Sequence, residues 1–291
     1  MSTNSTETST VCRCNRLCGQ QTLHPLASVV DLRKGSAPAR VSIDCYAVLL
    51  AGGCPEVCRR GPYNCDYSDA AVLFALPGRR VSAAEAPEGR LLLFHPDLTR
   101  SESLGARMPL YTFFGYRSDE TLRLSARERR QVERCLDYID EELHWGIDSF
   151  SRPLLCNKIE LLLNYCLRYY TRQFTLRHDI SERTIAAVRR RLDDYLLSGR
   201  TAEQGLPGAA EMARWAGHSE AYTADMLRHE TGFGIGDLVQ SRRLAAAKRM
   251  LLGTPMTVGE VASALGFGCE QAFRRLFTRL TGCTPAEYRH H

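Results

Sequence analysis

Apolar positions recur with two different periods along this chain. From Leu26 to Leu98 short apolar runs, Ser28–Leu32, Ile43–Leu50, Ala71–Leu76 and Leu91–Phe94, are separated by Gly, Pro, Asn and Asp. Turn sequences fall between them, at Ala51-Gly52-Gly53, Arg60-Gly61-Pro62 and Pro77-Gly78. Short runs punctuated in this way predict a β-sandwich or barrel over residues 23–122. The polar residues 1–22 ahead of it read as a disordered tail.

After Leu124 the period lengthens to about 3.6 residues, the repeat of a helix with one apolar face. Ser125 with Glu128 forms a capping box, followed by the stripe Val132, Leu136, Ile139 and Leu143. Ser151 and Pro153 start a second helix with the stripe Leu155, Ile159, Leu162, Cys166 and Tyr169. Such stripes serve equally as intramolecular core or as a dimer interface, so residues 123–180 are assigned to a helical dimerisation segment. A third helix, Ser181 to Leu197, carries Ile185, Val188, Leu192 and Tyr195 and ends at Gly199. Its run Arg189, Arg190, Arg191 reads as a solvated face. Arg200 to Gly208 reads as a linker.

From Leu206 onward the pattern is a tandem repeat. A short helix over Gly208–Ala216, a turn at Gly217-His218 and a helix from Ser219 to Thr231-Gly232 precede a longer helix, Ile235 to Leu252. Then Thr257 with Glu260 makes a capping box, Gly266 a turn, and a helix from Glu270 ends at Thr281-Gly282. Glu211-Met212-Ala213 aligns with Glu260-Val261-Ala262, and Gly217 with Gly266, giving a period near 50 residues. Helix, glycine-bearing turn and second helix is the helix-turn-helix pattern, whose second helix sets its early residues against base edges. Two copies on a rigid connecting helix can enter successive major grooves about 34 Å apart. Double-stranded DNA is therefore the expected partner.

Composition adds limits. The 291 residues suit about two domains with real cores. No run approaches a membrane span, and MSTNSTETST lacks a signal pattern, so a cytoplasmic protein is expected. Net charge is only +5, yet 35 of 38 basic residues are arginine, whose planar fork suits phosphate and guanine. Seven of the twelve cysteines precede residue 66: Cys12, Cys14 and Cys18 in the tail, Cys45 in a predicted strand, and Cys54, Cys58 and Cys65 in a predicted loop. Their spacing lacks the paired repeats of a structural zinc site, and no disulfide framework is expected in a chain of this kind.

Specific motifs then converge. Ala262 to Gly268 (ASALGFG), Phe273 to Phe277 (FRRLF), Thr281-Gly282 and Pro285 to Arg289 (PAEYR) resemble the AraC/XylS family of bacterial transcription regulators. The upstream copy agrees through Thr231-Gly232, Arg242, Arg243, Leu244, Ala247 and Leu251, so residues 181–291 are assigned to that DNA-binding type. The resemblance places Glu270, Gln271, Arg274 and Arg275 at DNA-facing positions and Arg279 near phosphate. These side chains fit: Gln bridges adenine N6/N7, Arg grips guanine O6/N7 and Glu accepts from cytosine N4. In the first copy the corresponding residues are Ala221, Ala224 and Asp225, beside Ser219, Glu220 and Arg228. This copy departs from the family, whose readers there are polar or aromatic, and Thr223 stands where the family holds a large apolar residue. Tyr222 is expected at the DNA backbone, Met226 and Leu227 in the core. More weakly, His24-Pro25-Leu26, Phe94 to Leu98 and Phe113 to Tyr116 resemble members whose front domain is a cupin-like barrel that senses an effector. The family thus implies an α+β chain with a cupin-like sensory domain, a homodimer, an unidentified small-molecule effector and RNA polymerase as a further partner, with no cofactor and no catalytic or metal residues.

Four other readings stand beside it. A metal- or redox-responsive regulator would use the amino-terminal cysteines. A cupin-type metalloenzyme needs clustered His and carboxylate ligands, and only His24 and His95 precede residue 140; a cysteine-zinc repair domain is not matched by the irregular spacing. A pure interaction protein would follow from the acidic first copy, against the arginines of the second.

Overall fold

The computed structural model describes residues 10–34, 41–42, 44–52, 67–81 and 89–290. Cys54, Cys58 and Cys65 lie outside the described residues, as do residues 1–9 of the expected tail. The chain divides into two compact units, one ending at Arg177 and one starting at His178.

The first unit is built on an antiparallel sheet. Strands β1 (Ala27–Asp31), β3 (Tyr46–Gly52), β4 (Ala70–Ala75), β6 (Arg90–Phe94) and β7 (Leu122–Leu124) pair in the order β1-β6-β3-β4-β7, while β2 (Val41–Ser42) pairs with β5 (Arg80–Val81). The four longer strands match the four predicted apolar runs. The five-stranded sheet does not close, since β1 and β7 are its edges among the described residues, so no barrel is formed by these strands. Register sets Ala47 opposite Leu93 and Ala75, and Leu49 opposite Leu91 and Leu73. These residues line one face. The other carries Tyr46, Phe74 and Phe94, which meet Phe113 and Phe114 of the segment Thr112–Gly115, with ring centroids 4.4 Å apart for Phe74 and Phe113. Covered on both faces, β3 reads as a continuous apolar run rather than an alternating one.

Residues 10–22 differ from the expected disordered tail. Thr10–Leu17 forms helix α1, and Val11, Cys14 and Cys18 are buried against Val30, Leu49 and Leu93 on the first face of the sheet. Their spacing of three and four residues is a helical stripe, too short to stand out from polar surroundings. Asn15 beside them is fully enclosed, its Nδ2 donating to Thr22 Oγ1 and its Oδ1 accepting from Ser28 Oγ at 2.8 Å.

After the short helices α2 (Pro96–Thr99) and α3 (Ser103–Arg107) come the predicted long ones, α4 (Ala126–His144) and α5 (Ser151–Leu176). The Ser125–Glu128 capping box is present. Every residue of both predicted stripes is buried within the unit, so they are core and are not available to a partner. Each such side chain contributes about 1.5–3 kcal/mol by leaving water. Edge strand β7 is finished by side chains of α5: Gln173 accepts from the Arg123 amide at 2.8 Å and donates to Thr121 O, and Arg172 donates to Arg123 O while pairing with Glu128. His24 Nδ1 accepts from the Leu26 amide and His95 Nδ1 from the Asp97 amide, so both rings hold local backbone.

The second unit is helical: α6 (His178–Leu197), α7 (Arg200–Gln204), α8 (Ala209–Ala216), α9 (Glu220–Thr231), α10 (Ile235–Gly253), α11 (Val258–Ala264), α12 (Glu270–Thr281) and α13 (Pro285–Arg289). Arg189, Arg190 and Arg191 are exposed, and Arg191 donates to Trp215 O at the end of α8. The expected linker Arg200–Gly208 contains the turn α7 because Thr201 is buried beneath Gly266, where an added Cβ would meet Thr201 Cγ2 at 2.7 Å. No helix among the described residues is long and apolar enough to cross a membrane.

Candidate nucleic-acid interface

The repeat read in the sequence is a repeat in space. Both α9 and α12 have 12 residues and end on a left-handed glycine, Gly232 or Gly282. Gly217 and Gly266 turn the chain into them with φ of 76° and 72°, a conformation that disfavours side chains with Cβ. Ser219 caps α9 by accepting from the Tyr222 amide, and Thr257 with Glu260 boxes the start of α11.

On α12, Phe273 and Phe277 are buried and stack on Phe267 and Tyr288. Gln271, Arg274, Arg275 and Arg279 are exposed on the rest of the helix, and Glu270 is half-buried. Glu270 Oε1 accepts from Arg274 Nε at 2.6 Å, which fixes the guanidinium one turn along. The Glu270 carboxylate lies against Gly259 of α11, where an added Cβ would come within 2.8 Å of Glu270 Oε2. Arg275 and Arg279 make no hydrogen bond or ion pair with the described residues. The helix thus presents one positioned arginine, two uncommitted ones and an amide.

The first copy presents a different surface. Glu220 and Arg228 are exposed, Ser219, Ala221, Ala224 and Asp225 half-buried, and Asp225 faces Arg228 at 3.5 Å. Tyr222 is 1% exposed and packs on His218, so it belongs to the core and not to the DNA backbone where it was expected. Met226 and Leu227 are buried. Thr223 is buried too, and its hydroxyl has no hydrogen-bond partner. A buried, unpaired hydroxyl costs about 1–3 kcal/mol. Thr223→Val, which keeps the shape, should therefore raise stability by about 1 kcal/mol in urea unfolding; a loss would show that the hydroxyl is bonded after all.

Other arginines tie α10 to α6, to the second copy and to α13, a role their spacing alone did not reveal. Arg242 makes a two-pronged pair with Asp193 of α6. Arg243 is buried, donates from Nε and Nη2 to Leu265 O at 3.1 and 2.9 Å, and lies 3.7 Å over the Phe267 ring. It puts a cation at the carboxyl end of α11, where the helix dipole favours one, although burial lowers its pKa. Arg289 donates to Leu251 O and Met256 O. The signal available beforehand was position: Arg243 falls on the face of α10 shared with Val239, Ala246, Ala247 and Met250, all buried.

Parts of the chain are similar to known proteins. Residues 212–291 match the model of a helix-turn-helix domain family. Regulatory protein SoxS of Escherichia coli (strain K12) is 35% identical over 79 residues, covering 27% of this chain and 74% of SoxS. The HTH-type transcriptional activator RhaR of Salmonella heidelberg (strain SL476) is 26% identical over 170 residues, 58% of this chain and 57% of RhaR. Among solved structures, a transcriptional regulator with an AraC-type DNA-binding domain from Chromobacterium violaceum gives a TM-score of 0.34 at 16% identity, covering 38% of this chain and 92% of that one. Both of these relatives are named as regulators. With its paired helix-turn-helix units and a match that spans most of SoxS, the chain belongs to the AraC/XylS family of DNA-binding transcription regulators.

Proposed function

We propose that this regulator reads its operator chiefly through α12, with Gln271, Arg274 and Arg275 at base edges and Arg279 at phosphate, while α9 contributes little sequence information. The observation that carries this reading is the contrast between an exposed set of one amide and three arginines on α12 and the alanines and acids at the matching positions of α9. Near phosphates, Glu220 and Asp225 repel unless they meet cytosine amino groups. Selection of bound DNA from a random library tests it. One strongly constrained block of base pairs is expected, with weak preference about one helical turn away; two equally constrained blocks would refute the asymmetry.

In this reading the first unit is a cupin-like sensory domain for a small-molecule effector, supported by its antiparallel strands and its resemblance to family members with such a domain. The protein acts in the cytoplasm as a homodimer, and RNA polymerase is the partner that transcription control implies. With both helical stripes used inside the unit, a second copy would pair on the exposed apolar residues Trp145, Ile147 and Phe150 of the α4–α5 connection and Leu154 and Leu161 of α5. An effector must bind one DNA-binding state better than the other, changing operator affinity by about 5- to 150-fold. Residues 178–291 alone should bind the selected DNA as a monomer and ignore any metabolite that acts on the full chain, as read by sedimentation and DNA titration. A fragment that dimerises or responds like the intact protein would remove the sensory assignment.

A further inference from the structure

The cysteines of the expected tail are not a tail feature. Cys14 and Cys18 are 0% and 4% exposed, inside one apolar cluster with Cys45 of the sheet. All three are free thiols, and no set of three or more His, Cys, Asp or Glu among the described residues is placed to hold a metal ion. A pair therefore stands out rather than a metal centre. Hydrogen bonding between the two thiols holds Cys14 above the usual thiol range and draws Cys18 below it, while burial pushes Cys45 up to about 12. Of the pair, Cys18, at the edge of the cluster, is the more readily ionised.

Their placement also allows a bond. Cys18 N donates to Cys14 O at 3.0 Å, so the pair spans one helical turn at the end of α1. One turn sets the Cα atoms about 6 Å apart, within the range that disulfides bridge, but the Cβ atoms must draw closer than a helix allows. Closing the bond unwinds that last turn, which is already at its limit: Leu17 is the last helical residue and Gly19 follows at φ 68°. Between the two thiols sits Asn15, whose buried side chain joins Thr22 and Ser28 of β1. Unwinding the turn moves Asn15 and so pulls on the edge of the sheet.

We propose that Cys14 and Cys18 form a dithiol that two-electron oxidants such as hydrogen peroxide convert to a disulfide, and that Asn15 transmits the change to β1. The Cys18 thiolate attacks a peroxide oxygen; the S–O bond forms, the O–O bond breaks, and the departing hydroxide takes a proton to become water. Cys14 sulfur then attacks the Cys18 sulfenic acid, forming S–S and breaking S–O, and the second hydroxide leaves as water with the Cys14 proton. Two electrons from two thiols reduce one peroxide to two waters. The chemistry stands on unit 1 alone, whereas its effect on transcription rests on the reading of that unit as the sensor.

The test uses the full chain. Reduced protein treated with one equivalent of hydrogen peroxide, then digested without reductant and analysed by mass spectrometry, should yield the peptide joined through Cys14 and Cys18, reversible by dithiothreitol. Oxidation confined to Cys12, Cys269 or Cys283, or pairing of Cys14 or Cys18 with another cysteine, would overturn the proposal. Binding to library-selected DNA is then compared before and after oxidation. An affinity change of about 5-fold or more, abolished by Cys18→Ala and by Cys14→Ala, is expected. A disulfide that forms without any change in affinity would overturn the switch while leaving the pair, and failure to select any DNA would strike the operator reading instead.

Discussion

Arg275→Ala should weaken binding to the selected operator by about 1–3 kcal/mol, roughly 5- to 150-fold, and relax preference at one or two base pairs. The size follows from what the side chain gives up. The Arg275 side chain is exposed and has no ion-pair or hydrogen-bond partner among the described residues, so in the proposed complex no contact within the protein has to be broken for it to meet DNA. Arg274 differs, because it is already bonded to Glu270; on the proposed reading DNA would compete with that bond, which reduces what alanine removes. Titrations on operator and random DNA at one salt concentration decide the matter. An equal loss on both would assign Arg275 to phosphate and exclude base reading.

Arg243→Ala should destabilise the second unit by about 2–4 kcal/mol without touching DNA directly. Two opposing terms meet here. Burial of an arginine is unfavourable, and its removal relieves that term. Against this, Leu265 O loses both of its guanidinium donors, Phe267 loses the cation above its ring, and a cavity opens beside Ala246 and Ala247. Lost charge-assisted bonds, at about 1.5–3 kcal/mol, together with the void outweigh the relief. Arg243→Lys, which keeps the charge without the planar fork, should fall between. Urea unfolding of the full chain, followed through the second unit, checks this; a change below about 0.5 kcal/mol would show that desolvation cancels the contacts.

What could be read beforehand follows physical lines. The helix-turn-helix pair was legible because Gly217, Gly266, Gly232 and Gly282 and the capping boxes mark turns and ends locally. The stripes on α4 and α5 were legible as faces, but not as to what covers them, since a period says nothing of the partner. Helix α1 escaped notice because its buried side includes Asn15 and two thiols among polar neighbours. The position of Tyr222 beside the expected DNA-facing residues suggests the DNA backbone, whereas its ring packs at a tilt on His218 in the core. Strand β7 has only three residues and buries Arg123, giving neither length nor alternation. The barrel was inferred from punctuation between strands, which fixes where strands turn and not whether the first meets the last.

The space left by Gly259 couples two properties that evolution can trade. A glycine inside a helix lowers stability by about 0.5–1 kcal/mol relative to alanine. Here an added Cβ would meet the flexible end of the Glu270 side chain, which would have to move together with its bond to Arg274. Drift at position 259 toward alanine would favour the helix and displace the Glu270–Arg274 pair, so on the proposed reading operator preference would shift through a residue that itself faces no base.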